Sequence, residues 1–590
     1  MLNLPFKDDP SLPGTLTQLA CGKKVRQTNP TRERGTPPSD SHGIIVGSAS
    51  LSRVGLVSRA TVAGWGGLIL IAAELLSGCT EPAGNQDKSE PVASQAEPLE
   101  LDSLSALPVD SQTATSAEVE SNANTVESGV TERLDFMEWP PPKFALFLTG
   151  RQHGYIEPCG CTGLANQKGG LARRHSVLEQ VRKLGWPTVT LDIGNQVRRF
   201  GVQPQVKFQT TIQALRQMKY DVIAFGPDDL RLSTGELIFA MVGDGGNTPF
   251  TSANVDVIGV VPTFQIIAAG GHKVGVTTVL GDSHHERVAS DELTVTPSVD
   301  ALRGIWPELE SASCDLYVLL AHASIEETQA LSRAYPRFDI VVTAGGAGEP
   351  TYQPEPIEGS DAVLVQVGTK GMYVGVIGVY DDADQPVRYQ RVALDAQWSD
   401  SPKMMRLLAE YQQQLEALGL DGLWLRPAAH PSGREFVGSE KCGECHITAH
   451  SIWVNTPHSH ATQTLVEPPE RYEVPRHFDP ECLSCHVTGW NPQAYSPYKT
   501  GYLELEASRH LHGNGCENCH GPGSEHVAAE EGETNVTDEQ LIRLQQQMRL
   551  RLEDAQVNCL ECHDIDNSPD FHADSAFEKY WNEIEHIGKD

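Results

Sequence analysis

The chain has 590 residues, and its 78 Asp and Glu residues outnumber 45 Lys and Arg residues to give a formal net charge of −33. Binding to nucleic-acid phosphates needs clustered Lys and Arg, so this composition argues against nucleic acid as a partner. An acidic surface would suit a basic redox partner, although it also serves plain solubility. The length exceeds what one hydrophobic core supports, and we expect about two to four units.

Residues 1–53 show no hydrophobic periodicity and stay unassigned; we expect translation to start near the end of this stretch. Residues 54–79 are typical of a signal peptide, because Arg59 precedes an apolar run that ends at Ala73. The run is too short for a stable transmembrane helix. The Leu-Ser-Gly-Cys79 that follows resembles a bacterial lipobox, in which the cysteine becomes the lipidated first residue of the mature protein. The alternative interpretation is a short buried helix with an unrelated cysteine.

Residues 80–140 are rich in Ser, Glu, Ala, Thr and Pro and carry almost no aromatic side chains. Such a segment buries too little apolar surface to offset its ordering entropy, so we predict a disordered acidic linker. Together with the lipid on Cys79, it would tether the folded domains to a membrane in the bacterial periplasm or cell envelope.

Residues 141–398 alternate short apolar runs with amphipathic stretches, which predicts an α/β domain with a sheet covered on both faces. The predicted helices are 170–184 and 206–218. The predicted strands are 143–149, 188–192, 221–225, 316–320, 339–343 and 362–367. Residues 399–435 are predicted to form a helical connector to the last part of the chain.

Residues 436–590 contain the motif Cys-x-x-Cys-His four times. The cysteine pairs are Cys442 and Cys445, Cys482 and Cys485, Cys516 and Cys519, and Cys559 and Cys562. This is the attachment motif of c-type haem, in which two thiols bind the porphyrin vinyl groups and the next histidine binds the iron. The proximal iron ligands would be His446, His486, His520 and His563. Structural zinc is the alternative, but zinc does not require a histidine directly after every pair.

The α/β region carries Gly150-Arg-Gln-His153-Gly, Gly169-Gly-Leu-Ala-Arg173, Leu191-Asp192-Ile-Gly-Asn195 and Leu320-Ala-His322. In this order the motifs resemble the calcineurin-like metallophosphoesterase domain of the 5′-nucleotidase family. The resemblance implies an α/β sandwich with two metal ions at the strand ends, which would activate a water and hold the phosphoryl oxygens.

The chain departs from that family at most of the expected metal ligands. Arg151 stands where the first Asp is expected, Asn195 replaces the bridging Asp, and Pro227-Asp228 replaces Asn-His. Residues 344–347 read Ala-Gly-Gly-Ala in place of Gly-His-x-His. We therefore expect an inactive phosphoesterase-like domain.

Two cysteines near this degenerate site remain unexplained. Cys159 and Cys161 follow His153 in a Gly-rich loop. These two cysteines and His153 could bind one further metal ion, with Asp192 or His322 as an additional ligand. A redox-active dithiol and two ordinary loop cysteines are the alternatives.

The last region resembles the tetrahaem cytochrome c-552/4 family of nitrifiers, through Val437–His446, Trp453–Ala461, Cys485–Gly489 and Gly515–His526. The resemblance implies four covalent haem c groups in a mainly α and loop domain, with one haem five-coordinate in some members. The candidate distal iron ligands are His458, His460, His510, His512, His526 and His586.

These features predict a membrane-tethered, extracytoplasmic tetrahaem cytochrome that transfers electrons between redox proteins. The alternatives are a multihaem redox enzyme that acts on a small nitrogen or sulfur compound at an open haem, and a residual metallophosphoesterase or 5′-nucleotidase. The coordination of the irons separates the first two hypotheses.

Overall fold

The structure is a computed structural model. It describes residues 133–159, 167–242, 248–288, 290, 292–469 and 474–586, all of which belong to one compact unit of the chain. The predicted signal peptide, Cys79 and most of the predicted linker lie outside the described residues. Within those residues, no helix is long and apolar enough to cross a membrane.

The α/β domain is built from two groups of elements. Its described strands are β1 (Phe144–Thr149), β2 (Pro158–Cys159), β3 (Lys168–Gly169), β4 (Thr188–Asp192), β5 (Val222–Ile223), β6 (Val255–Val257), β7 (Phe264–Ala269), β8 (His272–Leu280), β9 (Leu293–Val295), β10 (Leu316–His322), β11 (Ile340–Thr343), β12 (Glu355–Pro356), β13 (Val363–Gln366), β14 (Tyr373–Val379) and β15 (Val387–Ala393). Its described helices are α1 (Leu171–Lys183), α2 (Val202–Gln217), α3 (Thr234–Val242), α4 (Ser298–Ser311), α5 (Ile325–Ala334) and α6 (Pro402–Gly422).

Two sheets face each other in this domain. One has the strand order β15-β14-β1-β4-β5, and the other has the order β12-β13-β11-β10-β8-β7. The central strands β1, β4 and β5 run parallel, as do β8, β10, β11 and β13. Their carboxyl ends therefore lie at the same edge of each sheet, where α/β proteins place their binding sites.

The core between the sheets explains why the parallel strands are apolar on both faces. Leu146 and Leu148 of β1 pack in the same buried cluster as Val318 and Leu320 of β10. Helices α1, α2, α3 and α6 cover the outer face of the first sheet, and α4 and α5 cover that of the second. The predicted α/β sandwich is confirmed, with two sheets rather than one between the helices.

The folded α/β domain begins before residue 141, the first residue that composition assigns to it. A short 3-10 helix spans Asp135–Glu138. Its Phe136 is fully buried, and its ring contacts Trp186 edge-on at 6.4 Å. The last residues of the predicted linker are thus part of the hydrophobic core.

The region after α6 is made of short helices joined by loops. These are α7 (Ser439–Gly443), α8 (Ile447–Val454), α9 (Ala461–Val466), α10 (Pro480–His486), α11 (Cys516–His520), α12 (Ser524–Glu530), α13 (Asp538–Gln547), α14 (Leu552–Cys559) and α15 (Ala576–Ile584), with the two-residue strands β16 (Trp490–Asn491) and β17 (Ser496–Pro497). Its buried apolar cluster is small, with seven residues that include Phe436, Trp490 and Tyr502.

A buried polar contact, here called the α2–α10 seam, joins this region to the α/β domain. Gln203 donates to an Asp479 carboxylate oxygen at 2.6 Å, and Lys207 lies 2.6 Å from a Glu481 carboxylate oxygen. The Tyr411 hydroxyl on α6 donates to the other Asp479 oxygen at 3.2 Å. Because Asp479 also caps α10, the seam places the start of that helix.

Two further polar contacts join the same parts of the chain. Arg476 forms a two-pronged pair with Glu157, with both N–O distances at 2.8 Å. Asp566 pairs with Lys370 and accepts a hydrogen bond from the Tyr155 hydroxyl at 3.0 Å.

Replacing Lys207 with Met should lower the free energy of unfolding by about 2 kcal/mol, because Glu481 loses a charge-assisted hydrogen bond in a partly buried site while it keeps Arg199 at 3.3 Å. Urea unfolding of the haem-loaded protein, followed by circular dichroism, measures this change. The control is Arg303→Gln, which breaks an exposed 2.5 Å pair with Asp300 and should change stability by less than about 1 kcal/mol. Equal effects of the two variants would contradict a structural role for the seam.

Candidate functional site

Each of the four Cys-x-x-Cys-His motifs lies on or beside a short helix. Helices α10 and α11 contain the whole of the second and third motifs, α7 contains Cys442, and α14 ends at Cys559. Helical residues three apart lie on the same face, so α10 and α11 direct both thiols of the second and third motifs to one side. All eight motif cysteines are free thiols. This is the arrangement that covalent attachment to one porphyrin needs.

Three of the four motif histidines have one ring nitrogen already engaged. The Nδ1 atoms of His486 and His520 lie 2.9 and 2.7 Å from the carbonyl oxygens of Ala461 and Met548. The Nδ1 atom of His563 lies 2.9 Å from the Ser568 hydroxyl. An Nδ1 that donates to an oxygen carries the ring proton and leaves the Nε2 lone pair for a metal.

Three pairs of histidine rings face each other in this region. The ring centroids are 6.3 Å apart for His446 and His526, 5.7 Å for His520 and His586, and 6.0 Å for His563 and His458. Two metal–nitrogen bonds of about 2 Å each, with half a ring on either side, would separate such centroids by about 6 Å. Each pair therefore fits one iron between its rings.

The second motif differs from the other three. Among the described histidines, none faces the ring of His486 at a comparable distance. The other distal candidates are placed elsewhere: His512 is bonded through Nε2 to the Leu505 carbonyl at 2.8 Å, and His460 and His510 are exposed. Three of the six distal candidates, His526, His586 and His458, therefore face a motif histidine. Among the described residues, the second motif has only its own histidine, His486.

Thiols from different motifs also lie side by side. The neighbouring Cys516 thiol raises the pKa of Cys442, and Cys485 has the same effect on the pKa of Cys562. Burial, with Cys559 nearby, raises the pKa of Cys519 to about 12. These contacts link the first motif to the third, the third to the fourth and the fourth to the second.

Apolar side chains around the motifs fit a porphyrin ligand. Ile447, Val557 and Ile565 are 66%, 69% and 60% exposed and lie within four residues of a motif. Porphyrin rings would cover such apolar surface, and the buried cluster of this region is small. The free thiols, paired imidazoles and apolar surroundings together fit covalently bound haem c.

One buried carboxylate holds two motifs together. Glu517, inside the third motif, accepts hydrogen bonds from the backbone amides of Val437 and Gly438 at 3.0 and 2.8 Å and from that of Gly523 at 2.8 Å. It thereby places the start of the first motif and the loop that leads to His526. The variable x position of a Cys-x-x-Cys-His motif gives no sequence signal for this role.

In the α/β domain, the predicted metal ligand Asp192 is committed to other partners. It is fully buried at the end of β4. One oxygen accepts from Thr149 at 2.6 Å and lies 3.5 Å from Arg174, and the other accepts from Gln196 at 2.6 Å. A buried carboxylate so neutralised is a poor ligand for a cation.

His153 and His322 remain at the ends of β1 and β10, with Arg151 close to both. Burial is the main cause that lowers the pKa of each histidine to about 3, and the charge of Arg151 adds to both shifts. The backbones of Arg151 and His153 have left-handed φ values of 50° and 55°. Residues other than glycine rarely adopt such values unless the surrounding structure holds them there. This strained loop places a cation at the strand ends.

The predicted metal site finds no support. Among the described residues, no three His, Cys, Asp or Glu side chains lie close enough to hold a metal ion. The backbone of Cys159 lies in β2, and Cys161 is outside the described residues.

Asp229 is a site residue that the sequence did not reveal. Its carboxylate accepts hydrogen bonds from the amides of Asn195 and Gln196, both at 2.7 Å, and of Gly226 at 3.0 Å. Burial raises its pKa to about 7. It shapes the loops after β4 and β5 and is not available to a ligand.

Comparison with known proteins supports the cytochrome resemblance. The family model described as "Cytochrome c554 and c-prime" matches residues 441–521. That stretch resembles this cytochrome family. It contains the first three motifs, and the fourth lies beyond it. Cytochrome c-554 of Nitrosomonas europaea is 32% identical over 101 residues, which cover 15% of this chain and 39% of that protein.

Other similarities extend beyond the cytochrome region. An apyrase of Aedes aegypti is 25% identical over 182 residues, which cover 27% of this chain and 32% of the apyrase. The 5′-nucleotidase precursor of Thermus thermophilus is 19% identical over 55% of this chain and 66% of its own, with a TM-score of 0.41. The chain spans less than two thirds of each of these three proteins. The family match and the similarity to cytochrome c-554 agree with a cytochrome-like region in the last part of the chain.

Because the pKa of His322 is depressed in the folded state, the unfolded chain binds the proton first as pH falls below about 6.5. The stability contributed by this residue should therefore be fully present above that pH and be lost as pH falls from 6.5 towards the folded pKa of about 3, by up to about 1.4 kcal/mol per pH unit. His322→Gln keeps a donor for the Ile193 carbonyl and should flatten this dependence. Urea unfolding at a series of pH values measures it, and an unchanged slope would contradict the assignment.

Proposed function

We propose that this chain is an electron-transfer protein that carries four covalent haem c groups, one on each Cys-x-x-Cys-His motif. The observation that carries the proposal is the set of three facing histidine pairs, with centroids 5.7 to 6.3 Å apart. A haem iron held by two imidazoles is six-coordinate and low-spin, and little rearranges when it gains or loses an electron.

The chain's own residues would hold and orient these groups. His446 and His526, His520 and His586, and His563 and His458 would supply the axial ligands of the first, third and fourth haems. The Ala461, Met548 and Ile584 carbonyls fix the ring protons of His486, His520 and His586 at Nδ1. That leaves Nε2 of each ring as the ligand atom.

A second candidate function rests on His486. With no facing histidine among the described residues, the second haem would have a sixth position open to a small molecule. This favours a redox enzyme that acts on a small nitrogen or sulfur compound as the alternative to a pure electron carrier.

We further propose that the α/β domain has lost phosphoesterase activity and supports the cytochrome. Asp192 is neutralised by Arg174, and Arg151 places a positive charge where the related enzymes hold metal ions. The domain contacts the haem region through the α2–α10 seam and is covalently joined to it.

The proposed location is outside the cytoplasmic membrane, with Cys79 as a lipid anchor and redox proteins as partners. The similarity to a cytochrome c-554 and the lipobox-like sequence support this location. The strong negative charge would favour a partner with a basic surface.

The oxidised and dithionite-reduced protein should show about one high-spin haem in four, and only that haem should bind carbon monoxide. His526→Ala and His586→Ala should each convert one further haem to the high-spin, gas-binding form. Absorption spectra with and without carbon monoxide measure both effects.

The control is His510→Ala, which removes an exposed candidate that faces no motif histidine and should leave the spectrum unchanged. Four low-spin haems in the native protein would remove the second candidate function. An unchanged spin state in both His526→Ala and His586→Ala would overturn the assigned pairs.

The purified protein should not hydrolyse phosphodiesters or nucleotides when supplied with Mn²⁺ or Zn²⁺, because the ligand set for two metals is missing. Release of nitrophenol from bis-p-nitrophenyl phosphate provides the assay. Asp192→Ala serves as the control for contaminating activity. Metal-dependent hydrolysis that this variant abolishes would show that the domain is an active phosphoesterase.

A further inference from the structure

A cation with a buried, unpartnered nitrogen lies at the strand ends of the α/β domain. The Nη1 atom of Arg151 is shielded from solvent and has no hydrogen-bond partner among the described residues. Burial lowers the pKa of this guanidinium, which reflects the loss of hydration of its charge. A charge withdrawn from water in this way normally pairs with an opposite charge.

Among the described residues, no carboxylate forms a hydrogen bond or an ion pair with Arg151, and the carboxylates of the strand-end loops have other partners. Asp192 is paired with Arg174, Asp228 with Arg287 at 2.5 Å, and Asp566 with Lys370, while Asp229 accepts from backbone amides. The protein therefore supplies a partly buried positive charge and leaves its neutralisation to something else.

Three imidazoles lie in the same part of the domain, and the charge of Arg151 acts on two of them, His153 and His322. His284 and His322 face each other with ring centroids 5.7 Å apart, and His153 lies near Arg151 on the strained loop. Nδ1 of His322 is engaged by the Ile193 carbonyl at 2.9 Å, and Nδ1 of His153 lies 3.2 Å from the Thr369 hydroxyl. Because a carbonyl only accepts, the ring proton of His322 is at Nδ1 and its Nε2 cannot donate to an anion. A His153 ring that accepts at Nδ1 from the Thr369 hydroxyl carries its N–H at Nε2, where it can donate to a ligand.

We propose that Arg151, with His153 beside it, binds an inorganic tetrahedral oxyanion such as phosphate or sulfate. The planar guanidinium fork matches two oxygens of such an anion, and its charge-assisted hydrogen bonds are stronger than neutral ones. The anion would complete the ion pair that the chain leaves open, with the protein's own arginine as the cation.

The backbone supports this role for Arg151. Its amide donates to the Gly194 carbonyl at 2.7 Å, and the His153 amide donates to the Asn195 carbonyl at 3.1 Å. These bonds hold both residues in the left-handed region, which carries a conformational penalty for residues other than glycine. A loop held in this way gives Arg151 a fixed position in advance of binding.

The test is isothermal titration calorimetry of the haem-loaded full chain at low ionic strength, with sodium phosphate and sodium sulfate as separate probes. Saturable binding of either anion with one site per chain is the expected result. Binding of both supports recognition of the shared tetrahedral charge, and binding of one alone identifies the preferred anion. No saturable heat with either anion at millimolar concentration would overturn the proposal.

Arg151→Gln should weaken binding at least tenfold, because the charge and the fork are both lost. Arg151→Lys keeps the charge and should bind with intermediate affinity. The control is Arg303→Gln, an exposed arginine on α4, which should bind as the native protein does. Unchanged binding in Arg151→Gln and Arg151→Lys would overturn the proposal. The haem spectrum and far-ultraviolet circular dichroism establish that each variant is folded before its affinity is compared.

Discussion

The packing of the second attachment motif against the α/β domain depends on charges that are buried on both sides of the contact. Lys207 and Gln203 on α2 meet Glu481 and Asp479 at the start of α10. Apolar surfaces can slide past each other with little loss, but buried hydrogen bonds and ion pairs are satisfied only in one arrangement. The helix that carries Cys482 therefore has a defined position relative to the phosphoesterase-like domain, and the two domains behave as parts of one folded body.

The same requirement for satisfied charges sets the character of the strand-end cluster. Parallel strands bring Asp192, His322 and the loop after β1 to one edge. Arg174 and Gln196 neutralise and occupy the Asp192 carboxylate. The fold sets the position of the cluster, and the contacts among its side chains set its charge.

Much of the architecture could be predicted from local sequence patterns. The apolar runs at 143–149 and 188–192 indicated β1 and β4, and the four Cys-x-x-Cys-His motifs indicated the candidate attachment cysteines and their adjacent histidines. The hairpin of β14 and β15 and the pairing of the two sheets were not predicted. They depend on contacts between segments far apart in the chain, which local periodicity does not encode.

The two histidines of each candidate haem site also differ in how far the sequence predicts them. A motif histidine is identified by its place next to the second cysteine, whereas the facing histidine can come from anywhere in the region. His458 precedes its partner His563 in the chain, and His526 follows His446, so no rule of order would have assigned them. Arg174 could not be recognised as the partner of Asp192 either, because α1 and β4 meet only in the folded domain.

The neighbouring thiols place the four motifs in a spatial order that differs from their order along the chain. Cys442 of the first motif lies beside Cys516 of the third, Cys519 of the third lies near Cys559 of the fourth, and Cys562 of the fourth lies beside Cys485 of the second. A path through these thiols has the first and second motifs at its two ends, although they are neighbours along the chain. The end at the second motif lies beside the α/β domain, because the α2–α10 seam fixes the helix that carries Cys482 and Cys485.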